Sequence, residues 1–97
     1  MKIEFKRSGG FAGISVRLAL DSDALPPGER EALESLIARA RFFELPAGRA
    51  RAHPDAFQYD LVIEREGRRH AICLGDRDAP AELKPLLARL IELARSS

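Results

Sequence analysis

Apolar and polar residues alternate from the first positions of the chain. Ile3 and Phe5 are interleaved with Lys2, Glu4 and Lys6, and Ile14, Val16, Leu18 and Leu20 with Ser15, Arg17 and Ala19. A period of two on each side of the segment SGGFAG predicts a β-hairpin. Pairing Phe5 with Val16 and Ile3 with Leu18 gathers all four on one face, and the same register sets Glu4 across from Arg17 on the other.

The period then changes. Leu33, Leu36, Ile37 and Ala40 are spaced i, i+3, i+4, i+7, the stripe of an amphipathic helix. Pro26 and Pro27 mark its start, Glu29 and Glu31 suit the positive end of its dipole, and Arg39 and Arg41 the negative end. Phe42, Phe43 and Leu45 add apolar bulk before Pro46 and Gly48, so FFELP reads as the helix exit folding back onto a core.

The second half repeats the plan. Phe57, Tyr59, Leu61 and Ile63 alternate with Gln58, Asp60 and Glu64, and His70, Ile72 and Leu74 with Arg69, Ala71 and Cys73. The two-residue turn Glu66-Gly67 fixes the register: Ile63 faces His70, Leu61 faces Ile72, Tyr59 faces Leu74, and Glu64 faces Arg69. A last helix is expected to begin near Asp78 and Pro80. Leu83, Leu86, Leu87, Leu90 and Ile91 form its apolar side, with Pro85 confined to the first turn. DSDA (21–24) and DRDA (76–79) precede the two helices at matching places. The pattern predicts an α+β fold of two ββα units (1–46 and 57–97, joined by a loop at 47–56). They build a mainly antiparallel four-stranded sheet with both helices on one face, in a single domain. Strand order does not follow from this argument.

Composition narrows function. A chain of 97 residues buries roughly 60 to 70% of its unfolded surface, enough for one core and little besides. Sixteen Lys and Arg against fifteen Asp and Glu leave a net charge of +1, so no strong field draws the protein to nucleic acid or an anionic membrane. The single Cys73 cannot close a disulfide within the chain. The start MKIEFKR lacks the apolar run of a signal peptide, which makes the cytoplasm the expected location.

Candidate chemistry is sparse. The glycines of SGGFAG join two strands and no lysine follows them, whereas phosphate cradles lead a strand into a helix; a wide hairpin loop explains them better. That leaves Phe11 open between a ring folded back on the sheet edge and an exposed anchor. His53, Pro54 and Asp55 spell HPD, the J-domain tripeptide, but a strand follows it, so a turn is the better reading. His70 falls on the apolar face as a partly buried structural histidine, and Cys73 on the polar side. Asp21/Asp23 and Asp76/Asp78 suit helix N-caps better than calcium. No metal cluster, cofactor motif or nucleophile triad emerges, which argues against an enzyme. Arg39, Arg41, Arg49 and Arg51 offer at most weak nucleic-acid contact.

SGGFAG, the proline-led helix, FFELP, DAFQYDLVI, RRHAICL and LKPLLARL together resemble the emfourin family, small bacterial inhibitors of thermolysin-like metallopeptidases. The similarity runs from about Lys2 to Leu93. It implies a protein that acts by occupying a zinc peptidase cleft, with no catalysis, cofactor or metal of its own. Such enzymes favour a large apolar residue after the scissile bond, a pattern offered by Gly10-Phe11-Ala12. The expected contact residues are Ser8, Gly9, Gly10, Phe11, Ala12 and Gly13, with Asp21, Ser22 and Asp23 as further or competing contacts. The alternative is a non-enzymatic adaptor module with an Arg-rich loop.

Overall fold

The computed structural model describes residues 1–9, 15–47 and 57–96. Four strands form one antiparallel sheet: β1 (Lys2–Gly9), β2 (Val16–Asp21), β3 (Phe57–Arg65) and β4 (Arg68–Gly75), in the order β2-β1-β3-β4. Helices α1 (Pro27–Ala40) and α2 (Lys84–Ser96) follow the two edge strands. The α+β reading and the duplicated ββα plan therefore hold. The order left open by the sequence places β1 and β3 side by side at the centre, so the two units are joined through their first strands.

The β3–β4 register is as expected, Ile63 opposite His70 and Tyr59 opposite Leu74. Its turn has positive φ at both central residues, 50° at Glu66 and 79° at Gly67. This is the backbone shape that matches the twist of a two-residue hairpin. The first hairpin differs from expectation by two residues: Phe5 pairs with Leu18, Ile3 with Leu20, and Glu4 with Ala19 instead of Arg17. Alternation sets the face of a residue and not its register, and the longer β1–β2 loop does not impose one alignment. Here β1 is also locked to β3, Ile3 to Ile63 and Phe5 to Leu61.

Both helices contribute to one core on one face of the sheet. Ile3, Phe5, Leu61, Ile63 and Ile72 from the strands meet Leu33 and Ile37 of α1 and Leu86, Leu87 and Leu90 of α2, all buried. Each such aliphatic side chain contributes about 1.5–3 kcal/mol relative to exposure. Pro85 occupies the second position of α2, where its missing N–H costs nothing. The helix itself starts at Lys84, later than expected, because residues 76–78 form a separate 3₁₀ turn.

Helix α1 ends earlier than FFELP suggests. Arg41 turns left-handed (φ 50°, ψ 48°) and donates its N–H to Ala38 O at 3.1 Å, closing the helix before Pro46 is reached. A 3₁₀ turn, Phe42–Glu44, then drives Phe42 into the core, edge-on to Phe43 and His70 at 5.3 Å each. His70 is half-buried, its Nε2 2.7 Å from Leu45 O, and Cys73 N–H donates to Ala47 O at 3.0 Å. The chain from Phe42 to Ala47 thus runs along the outer side of β4.

The opposite face of the sheet carries the polar half of the alternation. Asp21, Lys2, Glu64 and Arg69 lie in one row across the four strands, with signs alternating, and Arg17, Lys6, Asp60 and Cys73 form another. Between them Ala19, Glu4, Val62 and Ala71 make a less charged row. An open depression of about 530 Å³ lies over Glu4, Lys6, Arg17 and Asp60. Its charges cancel, which suits a solvated face.

Candidate peptidase-binding surface

The strand registers sort the candidate residues to the two ends of the sheet. At one end β1 finishes with Ser8 and Gly9, where φ reaches 94°, a conformation glycine adopts without strain. Gly10, Phe11, Ala12 and Gly13 lie outside the described residues, and the chain re-enters at Ser15, which is exposed. Gly9 is opposite Phe57, the first residue of β3, so the chain following 9 and the chain preceding 57 meet the sheet side by side. The 47–56 loop, with Arg49, Arg51 and the HPD tripeptide, also falls outside the described residues apart from Ala47.

That end has a base the sequence reading did not include. Arg7 continues the parity of Ile3 and Phe5, so its side chain belongs to the apolar face, and its guanidinium lies 4.4 Å from the centre of the Phe57 ring. Phe57 is 36% exposed, the one large hydrophobic residue exposed among those described. Beside them Tyr59 donates its hydroxyl to Asp76 Oδ1 at 2.8 Å. Desolvation first, then the hydrogen bond and the negative charge of Asp76, push the phenol up to about 12, with Arg7 opposing. Asp76 is therefore a tyrosine acceptor and not a helix cap. Two signals were available in the sequence: an arginine in phase with the core residues of β1, and a phenylalanine at the exposed start of β3.

Asp21, Ser22 and Asp23 sit at the other end, since Asp21 pairs with Lys2. Seven strand residues at ~3.3 Å each put roughly 23 Å between Lys2 and Gly9. The two sets are thus not one loop cluster. Asp21 accepts from Asp23 N–H at 3.0 Å and lies 3.5 Å from the Met1 ammonium. The Asp23 hydrogen bond, with the ammonium and Lys2, holds its carboxyl below the ordinary value. The capping expected for α1 is instead local to the 3₁₀ turn Ser22–Ala24, while Pro26 occupies the α1 cap with no side-chain bond. Ser22 is fully buried and donates its N–H to Met1 O at 2.8 Å.

Among the described residues no three His, Cys, Asp or Glu side chains gather as metal ligands, and no helix is long and apolar enough to cross a membrane. At the Gly9/Phe57 end of the sheet of this α+β domain an exposed aromatic lies under an arginine. The chain belongs to the Emfourin family, whose model matches residues 5–91 and whose members are peptidase inhibitors and not enzymes. It is similar in fold to the solved structure of emfourin (M4in) from Serratia proteamaculans, described as an M4 family peptidase inhibitor. The identity is 20%, covering 88% of this chain and 83% of that one, with a TM-score of 0.50. No curated protein matches the chain.

Proposed function

We propose that this protein inhibits a thermolysin-like (M4 family) zinc metallopeptidase by placing the Gly9/Phe57 end of its sheet in the active-site cleft. Family membership and the likeness to the Serratia M4 family peptidase inhibitor support the class of target. The observation that carries the choice of end is the exposure of Phe57 beneath Arg7, next to the strand end that leads into Gly10-Phe11-Ala12. Aromatic and arginine side chains dominate the energetics of protein interfaces. Phe11 enters the hydrophobic specificity pocket, Ser8 and Gly9 hold the loop on a paired strand, and Phe57 with Arg7 supplies a second contact. A phenyl ring transferred to such a pocket is worth roughly 1.5–3 kcal/mol. Mounting the loop between paired strands lowers the ordering cost of binding.

Titration of an M4 peptidase with the purified protein tests this, and inhibition is expected at near-stoichiometric ratios. Phe11→Ala and Phe57→Ala are each expected to weaken inhibition by about tenfold or more, corresponding to about 1.4 kcal/mol. Asp23→Ala is expected to leave it unchanged. Loss on Asp23→Ala with retention in both phenylalanine variants places the contact at the acidic end and refutes the chosen end while the class of target stands. Absence of inhibition against any M4 peptidase refutes the proposal as a whole.

A further inference from the structure

The two edges of the sheet are treated differently. The outer side of β4 is accompanied by the chain from Phe42 to Ala47, which accepts the Cys73 N–H through Ala47 O. Among the described residues no segment hydrogen-bonds to the outer side of β2, whose backbone hydrogen bonds are those to β1, and α2 packs against the strand. Sheet edges are blunted with charged side chains, proline, bulges or an inward-pointing charge. β2, VRLALD, has no proline and no inward-pointing charge; its two charges, Arg17 and Asp21, are of opposite sign and lie with Ala19 on the open face, so a second copy of the strand meets them as partners, while Val16, Leu18 and Leu20 point toward the helices and remain half-buried.

We propose that β2 is a self-association edge, pairing antiparallel with β2 of a second copy in a register that sets Ala19 on the two-fold axis and Arg17 opposite Asp21. The residues from 17 to 21, RLALD, are self-complementary in this arrangement. An antiparallel two-fold through Ala19 places Arg17 of each copy against Asp21 of the other on the open face, and Leu18 against Leu20 on the helix-bearing face. The smallest side chain of the set falls at the centre, where the two strands' identical residues face each other. Charge order is also preserved across the join: Arg69, Glu64, Lys2 and Asp21 of one copy continue into Arg17 of the next. A slip of one residue in either direction loses the two Arg–Asp pairs and sets leucine of one face against residues of the other, so the sequence prefers this register over its neighbours. The product is a continuous eight-stranded sheet that covers the half-buried leucines of both edges. With one strand per copy in contact, the interface is small and the association correspondingly weak.

Sedimentation equilibrium of the intact protein, from micromolar to roughly 1 mM, the weak end of specific association, reads the proposal directly. The wild type is expected to rise with concentration from 10.7 kDa toward twice that mass. Arg17→Asp and Asp21→Arg each turn both symmetric pairs into repulsive ones and are expected to weaken dimerisation by about tenfold. The double variant Arg17→Asp/Asp21→Arg restores the pairs with reversed polarity and is expected to associate more tightly than either single variant. Asp21 also accepts the Asp23 N–H, so circular dichroism and thermal melts accompany each variant. The decisive comparison is between Asp21→Arg and the double variant, which lose that bond equally. A wild type that stays at the monomer mass throughout, or a double variant no better than Asp21→Arg, overturns the proposal.

Discussion

Replacing Tyr59 by phenylalanine removes one oxygen and keeps the ring, which is buried and stacked on Phe5 with centroids 6.2 Å apart. The change therefore isolates the 2.8 Å bond to Asp76. A hydrogen bond to a charged group contributes about 1.5–3 kcal/mol when shielded and nearer 1 when water competes. Asp76 is exposed, which sets the expected loss at about 1–1.5 kcal/mol. Urea unfolding of Tyr59→Phe, Asp76→Ala and the pair forms a double-mutant cycle with an expected coupling of about 1 kcal/mol. The phenol also predicts a pH window. Folding raises its value from 10.0 to about 12, so the native state keeps a proton that the unfolded chain releases. The stabilisation is complete below pH 10 and is lost as pH rises through about 12. At face value the rise converts to roughly 3 kcal/mol, and solvent screening at this surface-facing hydroxyl reduces it to about 1. The chain has one tyrosine and no tryptophan, so tyrosinate absorbance reports this residue alone. A midpoint near 10 in the folded protein, together with zero coupling in the cycle, would refute the reasoning.

Phe42→Ala empties a fully buried site and is expected to cost about 3–5 kcal/mol, measured by chemical denaturation, with loss of the ordered contact to His70 seen by NMR. Arg41→Gly relieves a left-handed non-glycine residue. It is expected to stabilise the protein by about 0.5–1 kcal/mol, read as a rise in Tm. Asp21→Asn removes a carboxylate held below its ordinary value of 3.8. The wild type is expected to be the more stable of the two above that pH, and the difference to close as pH falls through the depressed native value, followed by urea midpoints across the acid range.

The sequence made the elements and the core face legible because each strand alternates cleanly and each helix has a continuous stripe. The register of β3 with β4 was readable too, since Glu66-Gly67 permits one alignment. It was not readable between β1 and β2, where a longer loop imposes no alignment and alternation sets the face of each residue alone. The end of α1 was hidden for a different reason: its stop signal is an arginine in a conformation that composition associates with glycine. Ser8, Gly9 and the acidic turn were identifiable as candidates from the chain alone. Arg7 and Phe57 were missed as candidates because they meet only when strands 50 residues apart in sequence become neighbours, and the Tyr59–Asp76 bond because it reaches past the end of β4 into the 3₁₀ turn, beyond what strand alternation shows.

The central position of β1 and β3 has a consequence for how the chain matures. Each hairpin closes locally, yet the ladder between residues 2–9 and 57–64 requires most of the polypeptide to exist before it can form. Until then the first hairpin presents β1 as a raw margin with Ile3 and Phe5 uncovered. A nascent or truncated chain ending near residue 46 is thus a sticky half, and that margin is closed late in synthesis, when the second half zips onto the first.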